Sequence, residues 1–386
     1  MSFAQVFDTY ENLDFAEILQ SVTVQDVDRV LGKRPEAGEL LSHEDFLTLL
    51  APAARERLEQ MAQKAHQLTV QHFGKTIQFF TPLYLSNYCT NHCVYCGFNA
   101  RTGIARKHLT MDEIRQEAEA ISATGMKHLL ILTGEAPKIA TVEYLEESME
   151  VLREYFPSVS IEIYAMDEEQ YSRMVAAGVD GLTLYQETYN REAYEQLHPA
   201  GPKKDFLFRL DAPERGCRAG MRVVNIGALL GLDDWRRDSF FTGIHAAWLQ
   251  KNYPSTDISI SLPRMRPHAG EFQPVSIADD SDLVQVMLAQ RLFLPHCGIT
   301  ISTREGAAFR DNIVPLGVTK MSAGVLTTVG GHSDDAEDEE STGQFDISDT
   351  RSLDDMCAAI RSKSYQPVFK DWQPFLDNEV SDVSVE

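Results

Sequence analysis

Short apolar runs recur at regular intervals from residue 76 to residue 323. They are TIQFFTPLYLS (76–86), HLLILTG (128–134), VSIEIYA (159–165), GLTLYQE (181–187), VVNIGAL (223–229), DISISLP (257–263), GITISTR (298–304) and GVTKMSA (317–323). Each is rich in β-branched or aromatic residues and predicts a strand. Most of the intervals carry helical periodicity: in MDEIRQEAEAISATG (111–125), Ile114, Ala118 and Ile121 fall on one side of a 3.6-residue repeat. The last interval leaves room only for a short helix around Ala307 to Asn312. Strands alternating with helices imply parallel βα units, and eight of them predict an α/β fold of the (β/α)8 TIM-type barrel class. A doubly wound open sheet is the alternative that the same alternation permits.

Residues 1–75 read instead as an N-terminal helical extension. Leu58, Met61, Ala65 and Leu68 recur at steps of three and four, and Gly74 stands where a glycine would end that helix. The barrel is expected over 76–325, followed at 326–386 by an acidic loop and tail that pack on it. Within that tail, 330–350 (GGHSDDAEDEESTGQFDISDT) predicts a surface loop. DTRSLDDMCAAIRSKSY predicts a last amphipathic helix, ending before PVFKDWQPFL.

With 43% hydrophobic residues, the 386-residue chain can bury a sizeable core. Its 58 acidic residues outnumber 35 basic ones, for a net charge of −23, a field that repels nucleic acid and anionic membranes. No run reaches the ~18 apolar residues of a membrane helix. MSFAQVFDTYENLDF lacks the basic and apolar regions of a signal peptide, so a cytoplasmic protein is expected. Paired disulfides are improbable there, and six cysteines need another account. Cys217, Cys297 and Cys357 are scattered, as buried small residues are. Cys89, Cys93 and Cys96 are not: they form C-x3-C-x2-C directly after the first strand.

Zinc is one occupant for such a triplet, but structural zinc takes four ligands, usually as two pairs. No second pair exists, and His92, adjacent to Cys93, is an awkward fourth donor. An iron–sulfur cubane with three thiolates fits better, its fourth iron open to a small molecule. The loops after barrel strands form the functional face, and the triplet lies on the first of them.

C-x3-C-x2-C with an aromatic residue before the last cysteine resembles the signature of the radical S-adenosylmethionine (SAM) superfamily. The wider chain resembles its 2-iminoacetate synthase family of tyrosine lyases, through PLYLSNYCTNHCVYCGF (82–98), LTGE (132–135), YQETY (185–189), SLPRMRP (261–267), ISTRE (301–305) and KDW (370–372). The resemblance implies a [4Fe–4S] cluster on Cys89, Cys93 and Cys96, with SAM on the open iron. Reductive cleavage of SAM would give methionine and a 5′-deoxyadenosyl radical. That radical would take hydrogen from the amine of L-tyrosine, whose Cα–Cβ bond then breaks to give 2-iminoacetate (dehydroglycine) and 4-cresol, for the thiazole moiety of thiamine. It implies a thiazole synthase as partner and an electron donor such as flavodoxin or ferredoxin. Related tyrosine lyases of hydrogenase maturation carry a second cluster near the C-terminus, whereas here Cys357 is the one cysteine after residue 300. A tryptophan lyase of the same family, or a metal-binding protein without catalysis, is also compatible with the cysteine triplet.

Further candidates fall at strand ends. By resemblance, Gly134 and Glu135 hold the methionine ammonium of SAM; the plainer alternative for Glu135 is an acid complementing a helix start. Gln186 and Glu187 are candidates for the ribose or amino-acid part of the cofactor, since a buried carboxylate needs a partner, unless they belong to a helix surface. Gly227 either admits adenine or is a packing glycine. Arg264 and Arg266 serve SAM or pair with barrel acids. The resemblance implies an arginine near the seventh strand as anchor for the substrate carboxylate, which makes Arg304, with Ser302, the candidate; guanidinium matches carboxylate bidentately, and the plainer alternative is a structural arginine. Tyr95 is implied to touch adenine.

Overall fold

The computed structural model describes residues 2–268, 271–333 and 343–370. Eight parallel strands close into a barrel: β1 (Thr76–Ser86), β2 (His128–Thr133), β3 (Ser158–Glu162), β4 (Gly181–Glu187), β5 (Val223–Ala228), β6 (Asp257–Ser261), β7 (Gly298–Ile301) and β8 (Lys320–Ser322). Each pairs with the next, and β1 closes the ring by pairing with both β8 and β2. The order is that of a (β/α)8 barrel, not of an open sheet. The short helix after β7 spans Ala307–Ile313.

Two register shifts interrupt the ladder, between Tyr84 and Ser86 in β1 and between Tyr185 and Glu187 in β4. Both lie at C-terminal strand ends, where bulges re-aim side chains. Glu187 also has φ 73, a left-handed conformation costly for a non-glycine residue and one that concentrates at functional sites.

The helical extension joins the same hydrophobic core as the barrel. Helix Leu58–Phe73 buries Met61, Ala65 and Leu68 and stops at Gly74, whose φ is 66. Phe46, on helix His43–Leu50, stacks on Phe293 at 4.4 Å, while Phe3 stacks on His245 at 3.9 Å. These rings dock the extension on helices Trp235–Asn252 and Asp280–Phe293.

The tail returns to the barrel twice. After helix Leu353–Ser362, a ninth strand, β9 (Gln366–Val368), pairs in parallel with Thr76–Gln78 of β1. Earlier, the polar segment expected as a surface loop runs over the barrel mouth in its described part. Gln344 N donates to the Thr327 carbonyl, and Ser348 and Asp349 N donate to that of Thr303. Asp349 holds it down through an ion pair with Arg310 at 2.6 Å, both side chains 1% exposed. KDW lies outside the described residues beyond Lys370. Among the described residues no helix is long and apolar enough to cross a membrane.

Candidate active site

The cysteine loop leaves β1 and is held from two sides. The backbone N–H groups of His92 and Val94 donate to the carbonyls of Ala200 and Leu197, which belong to the segment after β4. On the other side, Asn91 Nδ2 donates to Glu135 Oε2 at 2.6 Å, and Thr90 donates through N and Oγ1 to the Glu135 carbonyl. Gly134 permits this contact, because a Cβ there would lie 2.3 Å from the Tyr88 carbonyl oxygen.

Cys93 is buried and Cys89 and Cys96 are half-buried. Cys93 packs with Tyr95, Leu197, Leu229 and Leu232 in an apolar shell separate from the main core. Burial pushes the Cys93 thiol up to about 12 and raises Cys96 as well, with Lys203 opposing both. A bare thiolate is therefore disfavoured, whereas one whose charge is drawn onto metal is not. Among the described residues no three His, Cys, Asp or Glu side chains gather tightly enough to hold one metal ion. Three thiols on one loop, without a converging fourth donor, suit an iron–sulfur group better than zinc.

Beside the loop, Tyr95 is anchored by its hydroxyl to His198 Nε2 at 2.7 Å. His198 Nδ1 faces the Tyr194 carbonyl at 2.8 Å, so Nδ1 carries the proton and Nε2 accepts from the phenol. Burial pushes His198 down to about 3, which keeps it neutral. Lys203 Nζ lies 5.7 Å from the Tyr95 ring centre and pairs with Glu187 Oε1 at 2.6 Å. Arg209 Nη2 reaches the same oxygen at 3.4 Å. Burial would raise the Glu187 carboxyl, but these two cations outweigh it and hold it below its ordinary value.

Inside the barrel mouth is a cavity lined by Tyr84, Glu162, Tyr185, Ser302, Arg304 and Phe345, among others. The Arg304 guanidinium lies over the Phe345 ring at 3.4 Å and makes no ion pair among the described residues. Burial lowers its pKa, opposed by Tyr84, Tyr185, Glu162 and Glu187. Gln344 joins this cavity to the cysteine loop: Tyr84 Oη donates to its Oε1 at 2.8 Å, and its Nε2 lies 4.0 Å from Cys96 Sγ.

Residues 83–242, β1 to β5, match the radical SAM superfamily, and residues 261–366 match the Biotin and Thiamin Synthesis associated domain. A curated relative, 2-iminoacetate synthase of Escherichia coli strain K12, is 40% identical over 96% of this chain and 97% of its own length. The chain belongs to the 2-iminoacetate synthase family. The chain superposes with a TM-score of 0.87 on the crystal structure of HydG, a maturase of the [FeFe]-hydrogenase, at 29% identity, covering 94% of this chain and 81% of that one. HydG from Carboxydothermus hydrogenoformans gives 0.80 at 30% identity, covering 95% and 82%.

Within this family frame the strand-end candidates divide. Arg304 and Ser302 line the cavity, Glu135 braces the cysteine loop, and Tyr95 and Glu187 lie beside it. Others are placed elsewhere. The Gln186 side chain turns away from the cavity that its neighbour Tyr185 lines, and Nε2 donates to the Phe206 carbonyl at 3.4 Å. At Gly227 a Cβ would fall 2.6 Å from the Ser261 carbonyl oxygen and 3.1 Å from the Tyr185 ring, so the strand packing by itself requires glycine there. Arg264 and Arg266 both pair with buried Glu305, and Arg264 also reaches Asp280 at 2.8 Å.

Sequence reasoning missed Glu162, Lys203, Arg209, Gln344 and Phe345. Glu162 carried a usable signal, since it ends β3 as Glu187 ends β4. Lys203 and Arg209 follow from the partner that a buried Glu187 requires. Gln344 and Phe345 sit in an acidic stretch with no periodicity to mark it.

Proposed function

We propose that this chain is a radical carbon–carbon lyase that splits the Cα–Cβ bond of L-tyrosine to 2-iminoacetate and 4-cresol. Cys89, Cys93 and Cys96 would hold a [4Fe–4S] cluster and leave room beside it for SAM. When bound and reduced, that pair supplies a hydrogen-abstracting radical; the remaining work falls to the chain's own residues. Arg304, steadied by the Phe345 ring, takes the substrate carboxylate, with Ser302 beside it. Leu130, Leu132 and Val325 give the cavity an apolar wall suited to an aromatic ring. Glu135 would accept from the ammonium of SAM, exchanging its bond with Asn91 for a charge-assisted one. Gln344 and Phe345 cover the mouth and limit water around a reactive centre.

The observation that carries this reading is the Arg304 guanidinium, without an ion pair among the described residues, in a cavity that meets a three-thiol loop at Gln344. Full-length similarity to a curated 2-iminoacetate synthase supports the choice of reaction. The product is an imine and hydrolyses to glyoxylate, so a thiazole synthase is the fitting partner, with a flavodoxin or ferredoxin as electron donor in a reducing cytoplasm. With one cysteine after residue 300, the reaction is proposed to stop at 2-iminoacetate. Anaerobic incubation with dithionite, SAM and L-tyrosine should release 4-cresol and glyoxylate. Accumulation of 5′-deoxyadenosine with tyrosine left intact would keep the superfamily chemistry and reject the substrate.

A further inference from the structure

Glu162 is the one carboxylate lining the mouth cavity among the described residues. The neighbouring acids are already engaged: Glu187 by Lys203 and Arg209, Glu305 by Arg264 and Arg266, and Glu135 by Asn91. The Glu162 carboxylate has no hydrogen bond or ion pair among the described residues, and the residue is half-buried and lines the cavity. It stands within the electrostatic reach of Arg304. A half-buried carboxylate without a partner is costly, and the cost is recovered when a cation arrives.

Resting on the tyrosine-lyase reading, we infer that Glu162 binds the α-ammonium of the substrate and removes one of its protons. Bond lengths near 1.5 Å put an amino acid's nitrogen about 2.5 Å from its carboxylate carbon. A substrate held on Arg304 therefore carries its ammonium within the cavity whose one unengaged carboxylate, among the described residues, is Glu162. One proton moves from nitrogen to the Glu162 carboxylate, nitrogen keeps its lone pair, and no electron changes hands. The ammonium and the carboxylate both become neutral, leaving a neutral amine in an enclosed site.

The environment favours that transfer. Burial pushes Glu162 up to about 7, well above an ordinary carboxyl, with Arg304, Lys203 and Arg209 pulling it down and Glu187 pushing it further up. Tyr84 and Tyr185 face it from β1 and β4 and stay protonated, because burial raises both phenols. His128 and Lys320 line the cavity nearer the start of their strands. A carboxylate with this raised affinity is a stronger base than an exposed one.

The test is equilibrium dialysis of anaerobically reconstituted protein with SAM, using L-tyrosine and 3-(4-hydroxyphenyl)propanoate, which keeps the carboxylate and phenol but lacks the amine. Glu162→Gln should weaken L-tyrosine about tenfold or more and leave the amine-free analogue within about twofold, as loss of one charge-assisted contact requires. Glu162→Asp should restore part of the preference for tyrosine. In wild type, kcat/KM for 4-cresol should rise with pH through about 7, and Glu162→Gln should flatten that rise. Equal weakening of both ligands, or of neither, would overturn the ammonium assignment alone. So would a Glu162→Gln protein that loses only its preference for L-tyrosine over L-phenylalanine, which would put the carboxylate on the phenol. Wild-type protein binding neither ligand would bring down the tyrosine reading and this assignment with it.

Discussion

The barrel mouth and the ion pairs just outside it use the same residue type in opposite ways. Arg310 and Arg304 lie on one stretch after β7. Arg310 meets Asp349 at 2.6 Å in full burial, and Arg264 and Arg266 converge on Glu305. Arg304 lies over an aromatic ring with cavity on its open side. The flanking arginines have their counter-charge built in, whereas Arg304 and Glu162 face the cavity without an ion pair among the described residues. Burial of a charge alone therefore does not single out a candidate residue; a missing partner beside a cavity is the more specific signal.

The comparison can be broken at several points. The largest effect is expected at the cysteine loop. Cys93→Ala should abolish 5′-deoxyadenosine formation and lower bound iron and sulfide from about four of each per chain, measured after anaerobic reconstitution; retained turnover would contradict the ligand set. Outside the mouth, Asp349→Ala leaves the buried Arg310 charge alone and strips Arg351 of one of its two carboxylates, and should cost about 3–5 kcal/mol in urea unfolding. Replacing the pair together, Arg310→Met with Asp349→Leu, should recover the part of that loss due to Arg310, and Arg351→Met added to it should recover the part due to Arg351; a triple variant no more stable than Asp349→Ala would contradict the charge-pairing account.

A smaller effect is expected at Glu162. Its folded carboxyl is pushed up to about 7, above the unfolded value of 4.5, so the folded state holds the proton more tightly. Stability should therefore fall as pH rises through that window and level off above it. Glu162→Gln removes this penalty. The variant should exceed wild type by on the order of 2 kcal/mol at pH 8 and match it near pH 4, read by urea melts without substrate. A difference that does not change with pH would show that Glu162 does not titrate in this way.

How far the sequence was legible follows from range of interaction. Each of the eight barrel strands is a local pattern, and its run of apolar residues marks it. The three-residue β9 is too short to carry a pattern and exists through its pairing with Thr76–Gln78. The cysteine loop is likewise local in its spacing, and its place after the first strand puts it on the working face. Arg304, Arg264 and Arg266 were alike as strand-end cations; the family resemblance singled out Arg304, and the position of Glu305 gives the other two a partner that no local pattern marks. Gln344 and Phe345 reach the mouth from a polar stretch whose fold is set by distant contacts with Thr303, Thr327 and Arg310. Gly227 was ambiguous because the Tyr185 ring that needs the space comes from another strand.

The division between engaged and unengaged arginines is tested most directly by ligand binding. L-Tyrosine and SAM affinities should be measured by equilibrium dialysis on anaerobically reconstituted wild type, Arg304→Lys and Arg264→Lys. Arg304→Lys loses the bidentate grip, so tyrosine should bind more weakly by about 2 kcal/mol, roughly thirtyfold, with SAM binding little changed. Arg264→Lys should leave both affinities within about twofold, the scale of a change away from either ligand. Equal loss of both ligands in Arg304→Lys, or a tyrosine defect confined to Arg264→Lys, would contradict the assignment of the mouth arginine to the substrate.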